Sequence, residues 1–149
     1  MQTLLKQKND LKQKQIKINF IGKCKLLPKD IIDLQKKVMN ATKHNKGKTI
    51  NFAIAYGGRE EILDAVNKML KDKKLKKVDE EIFSKYLWLA SNPDLIIRTG
   101  GEIITSNFLP WQSTYSEYIF LDKLWPEIEK QDLINCLEEF SSRERRFGK

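Results

Sequence analysis

Two glycine pairs, each beside an arginine, are the residues best suited to chemistry: Tyr56-Gly57-Gly58-Arg59 and Arg98-Thr99-Gly100-Gly101-Glu102. Glycine lets the backbone turn tightly and approach an anion closely. A guanidinium is a planar fork that matches phosphate geometry. One such pair reads most simply as a turn after a strand. Two pairs, each with an arginine at a predicted strand end, point instead to an anion site. Glu117 begins the next predicted strand and is expected beside the same sheet end as Arg98. A carboxylate there is either the partner of a phosphate-binding arginine or a magnesium ligand, since magnesium favours carboxylate plus substrate phosphate oxygens. Trp111, Tyr115 and Phe120 between and after these groups are expected core aromatics. The basic tail, residues 143–149, reads on charge alone as a solvated, frayed helix end.

The elements that must hold these groups alternate. Strands are predicted at residues 16–21, 49–56, 95–98 and 117–121, from short β-branched and aromatic runs. A helix is predicted after Pro28, with Ile31, Leu34, Val38 and Ala41 on one face and Gly47 just past its end. A second runs from about Glu60 to Leu70. A third is capped by Asp79 and carries Ile82, Phe83, Tyr86, Leu87 and Ala90, before Asn92-Pro93-Asp94 stops it. A last helix covers 131–142. Strand–helix alternation predicts an α/β fold, a parallel sheet flanked by helices. Residues 50–55 and 95–97 are apolar enough to be central, buried strands. Ligands of such sheets bind beyond the carboxyl ends of the strands, where both glycine pairs lie.

The composition agrees with one α/β domain spanning 1–149, with residues 1–15 a helix end or disordered. The chain is 40% hydrophobic and 32% charged, with no apolar run of membrane-spanning length, so a cytoplasmic location is expected. Its net charge of +8 suits anionic partners. The lysine runs lack interleaved aromatics and read as solvated faces, so nucleic acid is an unlikely partner. Cys24 and Cys136 form no CxxC pair and no zinc spacing, and the lone His44 falls in a polar helix end.

Taken in order, the motifs resemble those of the cis-prenyltransferases, the isoprenyl transferase and undecaprenyl diphosphate synthase family. The resemblance rests on Phe20-Ile21-Gly22, Ala55-Tyr56-Gly57-Gly58-Arg59-Glu60-Glu61-Ile62 and Asp94-Leu95-Ile96-Ile97-Arg98-Thr99-Gly100-Gly101-Glu102. It continues through Ser106-Asn107-Phe108-Leu109, Trp111-Gln112, Tyr115-Ser116-Glu117 and Leu124-Trp125-Pro126-Glu127, and ends in Arg143-Glu144-Arg145-Arg146-Phe147-Gly148. It implies condensation of isopentenyl diphosphate with an allylic prenyl diphosphate to give a longer cis-polyprenyl diphosphate. It implies that Arg98, Thr105 and Ser106 bind the isopentenyl diphosphate and that Glu117 holds Mg2+. Arg146 and Gly148 correspond to a C-terminal Arg-x-Gly element that reaches a dimer partner's substrate. A homodimer, or a heterodimer with another cis-prenyltransferase chain, is therefore expected, with peripheral membrane contact through the product.

Three positions depart from the family pattern. The Asp-Gly-Asn-Gly-Arg loop that binds the allylic diphosphate and magnesium does not occur in these 149 residues. The resemblance thus covers the C-terminal part of the family fold, without the opening βα units. Ile104 stands where the family usually has a second diphosphate-binding arginine, and loss of such a contact costs about 1.5–3 kcal/mol. Pro110 replaces a leucine. The expectation is a chain inactive by itself, dependent on a complementary half, or acting as a non-catalytic partner subunit.

Overall fold

The computed structural model describes residues 1–144. Its elements are α1 (Gln2–Lys6), α2 (Lys8–Gln13), β1 (Lys17–Ile21), α3 (Lys29–Thr42), β2 (Thr49–Ala53), α4 (Gly58–Lys71), α5 (Glu80–Tyr86), β3 (Leu95–Thr99), β4 (Glu117–Leu121) and α6 (Lys130–Ser142). The chain divides into two compact units, Met1–Asp64 and Ala65–Lys149. Each holds one pair of parallel strands, so the α/β class and parallel pairing read from the sequence are present in both. None of the described helices is long and apolar enough to cross a membrane.

In the first unit β1 pairs with β2 from Lys17↔Thr49 to Ile21↔Ala53. Side chains alternate across a strand, so Ile18 and Phe20 share a face with Ile50 and Phe52. The amphipathic helix α3 packs on β1. Ile18 and Val38 form the core with Leu11, and both are 1% exposed. The buried Thr42 hydroxyl joins the layers, donating to the Val38 carbonyl at 3.1 Å and accepting from the Ile18 amide at 3.1 Å. Asn45 Nδ2 donates to the carbonyls of Leu11, at 3.1 Å, and Ile16, at 2.7 Å. Two short helices thus run through residues 2–13, and Asn45, just past α3, ties their end to the start of β1.

Two expectations change here. Gly47 does not cap α3, which ends at Thr42. Its amide donates to the Gln15 carbonyl at 3.0 Å, and a Cβ at position 47 would lie 2.8 Å from that oxygen. Close backbone approach is what requires glycine there. The second change is β2, expected as a buried central strand: all five of its residues are exposed. α3 covers β1, and that cover does not extend over β2.

In the second unit Asp79 caps α5 as expected, its Oδ1 accepting from the Ile82 amide at 2.9 Å. The helix stops at Tyr86, four residues earlier than the apolar spacing suggests. Leu87 leaves it in an extended conformation and is itself buried, so its apolar side chain belongs to the turn and not to a helical face. β3 and β4 pair in parallel from Leu95↔Glu117 to Thr99↔Leu121. α6 starts with a capping arrangement in which Asp132 Oδ2 accepts from the Glu129 amide at 2.8 Å. The expected core aromatics are only partly so. Trp111 packs edge-on against Phe83 at 4.5 Å but stays 37% exposed, and Tyr115 is 63% exposed.

Candidate functional site

Parallel pairing brings the carboxyl ends of β3 and β4 to one edge, and the site is built there. Gly100 and Gly101 follow β3 with φ of 96° and 74°, a region that side chains disfavour. Their amides donate to the carbonyls of Lys123, at 2.9 Å, and Leu121, at 3.0 Å, which ties the glycine turn to the end of β4. The chain then runs through a loop with left-handed residues at Ser106, Asn107 and Leu109, whose φ values are 49°, 61° and 48°. For a branched apolar residue such as Leu109 this conformation is strained, and the neighbouring structure must hold it. Leu109 is 4% exposed. Next to it Gln112 is buried and donates to the Leu89 carbonyl at 2.9 Å, and Ser116 donates to the Pro93 carbonyl at 2.6 Å.

This anchored loop and β3 enclose a cavity of about 310 Å³, lined by Ile96, Ile97, Arg98, Thr99, Ile104, Thr105, Phe108 and Tyr118. Arg98 is its cation, and the Nε of Arg98 is buried without a hydrogen-bond partner among the described residues. A buried donor left unmade costs about 1–3 kcal/mol, more for a charged group. The lining therefore favours a ligand with an anionic head for Arg98, an acceptor for the Thr105 hydroxyl, and a small apolar part against Ile96, Ile104 and Phe108.

The structure thus brings Arg98, Ile104 and Thr105 together. Ser106 comes next on the loop, exposed and outside the cavity lining. Glu117 lies elsewhere than expected. The register sets it opposite Leu95, at the amino end of the strand pair, whereas Arg98 pairs with Phe120 near the carboxyl end. Three residues of strand separate them, about 10 Å. Glu117 Oε2 instead accepts from Arg143 Nη1 at 2.8 Å. That nitrogen also donates to the Tyr118 carbonyl at 3.1 Å, and Nη2 donates to Glu139. Glu117 and then Glu139 hold the Arg143 guanidinium above its ordinary pKa. Arg143 is therefore fixed and not part of a solvated end. Arg146 and Gly148 lie outside the described residues.

The donor set can be tested against magnesium. Among the described residues no three of His, Cys, Asp and Glu gather as a metal cluster. The Glu117 carboxylate is engaged by a guanidinium. As arranged, these described residues do not fit a magnesium ion.

The first glycine pair behaves differently. Gly58 opens α4, and the Glu61 amide donates to the Gly57 carbonyl at 2.9 Å. Glu61 is 1% exposed and accepts from the Tyr56 hydroxyl. This strand end is committed to starting a helix and burying a carboxylate.

Sequence reasoning missed Arg143, Phe108 and Tyr118. The i, i+4 spacing of Glu139 and Arg143 was available as a signal. So was strand alternation, which puts Tyr118 on the same face as Ile96 and Arg98 once the register is known.

Comparison with known proteins bears on what this cavity serves. Residues 1–148 match the sequence model of the family described as "Putative undecaprenyl diphosphate synthase". An isoprenyl transferase of Streptococcus thermophilus is 41% identical over 150 residues, covering 93% of this chain and 60% of the relative. A tritrans,polycis-undecaprenyl-diphosphate synthase (geranylgeranyl-diphosphate specific) of Pyrococcus abyssi is 43% identical over 141 residues, covering 90% of this chain and 53% of its own length. The chain thus spans between half and two-thirds of these relatives. Among solved structures, lavandulyl diphosphate synthase from Lavandula x intermedia, in complex with dimethylallyl diphosphate, superposes with a TM-score of 0.91 at 32% identity. That match covers 99% of this chain and 67% of the other. A "probable undecaprenyl diphosphate synthase" from Campylobacter jejuni gives a TM-score of 0.88 at 32% identity, covering 99% and 70%. Sequence and fold converge on one assignment: this chain belongs to the cis-prenyltransferase family.

Proposed function

We propose that this chain carries the isopentenyl diphosphate side of a cis-prenyltransferase site, with Arg98 gripping the diphosphate. The observation that carries this reading is the buried, unpartnered Nε of Arg98 in a cavity otherwise lined by hydroxyls and apolar side chains. An isopentenyl group is a short branched hydrocarbon, and Ile96, Ile104 and Phe108 offer it apolar surface. The diphosphate offers acceptors to Arg98 and Thr105, with Ser106 close by in sequence.

In the reaction of this family the allylic carbon–oxygen bond breaks and the diphosphate leaves with its electron pair. The double bond of isopentenyl diphosphate attacks the resulting cation-like carbon. A proton is then lost to form the new cis double bond. Arg98 would fix the nucleophilic olefin by its diphosphate, so that attack becomes effectively unimolecular. The groups that hold the allylic diphosphate are supplied by an Asp-Gly-Asn-Gly-Arg segment, which these 149 residues do not contain. Chain elongation therefore requires that segment in addition. Arg146 and Gly148 would complete the site from a dimer partner.

Titration calorimetry with isopentenyl diphosphate tests the reading. Saturable binding to the 149-residue chain, displaced by inorganic diphosphate and lost in Arg98→Gln, is the expected result. Absence of binding, or binding indifferent to Arg98→Gln, overturns it.

A further inference from the structure

In the second unit, the end of α4 and the connection to α5 concentrate positive charge. Residues 68–77 hold six lysines and a single acid, Asp72. The Asp72 carboxylate is taken up by the fold. It accepts from the Tyr86 hydroxyl and, at 2.9 Å, from the Lys74 amide. The Leu75 amide donates to the Asp72 carbonyl at 3.1 Å, so the connection is a set turn. Lys71, Lys73, Lys74, Lys76 and Lys77 are all exposed and form no ion pair with the described residues.

A lysine run is ordinarily a solvated face. Exposed aliphatic side chains set this one apart. Leu70 is 80% exposed at the end of α4, and Val78, just past the run, is 54% exposed. Val66, one turn before Leu70 on the same helix face, is exposed as well. The lysines of residues 1–15 have no such neighbours: Leu4 and Leu5 pack against the core and Leu11 is buried. Ammonium groups beside exposed aliphatics suit a surface that is anionic outside and apolar just beneath, as a bilayer with anionic lipids is. A single-stranded nucleic acid would call for aromatic platforms, and residues 66–78 contain none. We propose that residues 66–78 bind the surface of an anionic lipid bilayer, with the lysines against headgroup charge and Leu70 and Val78 at the headgroup boundary. The contact needs no prenyl chain, which separates it from anchorage through a product. It is also independent of the diphosphate reading of the Arg98 cavity.

Cosedimentation of the full chain with vesicles tests this, with no prenyl compound present. One set contains about one-third phosphatidylserine in phosphatidylcholine, the other phosphatidylcholine alone. The expected result is binding to the anionic set only, weakened by added salt. Combining Lys73→Gln, Lys74→Gln, Lys76→Gln and Lys77→Gln should weaken that binding by about twentyfold or more. Combining Leu70→Gln and Val78→Gln should weaken it by about fivefold or more. A control with the same change of charge, combining Lys6→Gln, Lys8→Gln, Lys12→Gln and Lys14→Gln, should weaken it by less than about threefold. All the substituted side chains are exposed, and an unchanged melting transition checks that each variant folds. Several outcomes overturn the proposal: no binding to anionic vesicles, equal binding to both sets, or equal losses in the two lysine variants. So does binding that is indifferent to Leu70→Gln with Val78→Gln. Binding to a single-stranded RNA oligonucleotide but to neither vesicle set overturns it in favour of a nucleic acid.

Discussion

The two strand ends that look alike in sequence do different work. Both carry two glycines beside an arginine. After β2 the glycines lead straight into α4, and the turn is spent on burying Glu61 under the Tyr56 hydroxyl. After β3 the glycines take positive φ, hang on β4 by two amide hydrogen bonds, and release the chain into a loop that leaves a cavity over Arg98. The difference lies in the residues on the carboxyl side of each pair. Arg59-Glu60-Glu61-Ile62 is a good helix start, with acidic residues where the helix dipole favours them. Glu102-Ile103-Ile104-Thr105 precedes a run of left-handed residues that no helix accepts. In this chain the cavity lies at the pair whose following residues do not close into a helix.

The most severe test of this contrast is Arg98→Gln. If the β3 end is the anion site, the loss of a charge-assisted contact should weaken isopentenyl diphosphate binding by about 10- to 150-fold. Arg59→Gln should leave it within twofold. Calorimetry on both variants decides the matter, and equal losses would erase the distinction. Ile104→Arg works in the opposite direction. Ile104 lines the cavity and is 52% exposed, so the longer side chain has room. A second guanidinium beside Arg98 should tighten diphosphate binding by about tenfold or more. A Gly100→Ala change should cost about 1–2 kcal/mol of stability, since φ there is 96°. Chemical denaturation measures the loss.

Much of this was legible beforehand. Strand–helix alternation gave the parallel pairs, Asp79 declared its cap, and the motifs around Arg98 named the family. What could not be read was set by contacts distant in sequence. Strand register placed Glu117 opposite Leu95, and no local pattern specifies register between strands joined by a long loop. The Glu117–Arg143 pair spans 26 residues and depends on where α6 ends, so charge alone made Arg143 look solvated. The exposure of β2 was hidden for another reason. Its apolar run describes the environment the strand is suited to, and that environment includes cover which the described residues do not provide.

Tyr56→Phe sharpens the contrast from the other side. The hydroxyl donates to a buried carboxyl, and its removal should cost about 1 kcal/mol of stability. Isopentenyl diphosphate affinity should stay within twofold, because the β2 end is a structural turn. A tenfold loss of affinity with an intact melting transition would make the two strand ends functionally alike.

The smallest effect expected concerns pH. The turn after β3 hangs partly on the Lys123 carbonyl, and Lys123 Nζ is held by both carboxylate oxygens of Asp132 at 2.9 Å. The hydrogen bond from Lys123, and then that from the Glu129 amide, lower the Asp132 pKa below its ordinary 3.8. A depressed carboxylate contributes stability that is fully present above the unfolded value and is lost as pH falls through the folded one. Lys123 is half exposed at the surface, so solvent screens the pair and the contribution is small. Asp132→Asn should therefore cost its small increment at neutral pH and nothing once the parent carboxyl is protonated, so that the variant's acid limb below pH 3.8 is flatter. Exchange of the Gly100 amide should quicken in acid in the parent chain and lose that dependence in the variant. The amide of Glu61, at the β2 turn, should show no response to the same substitution. If both amides respond alike, the acid sensitivity belongs to global unfolding, and the brace on the β3 turn is not local.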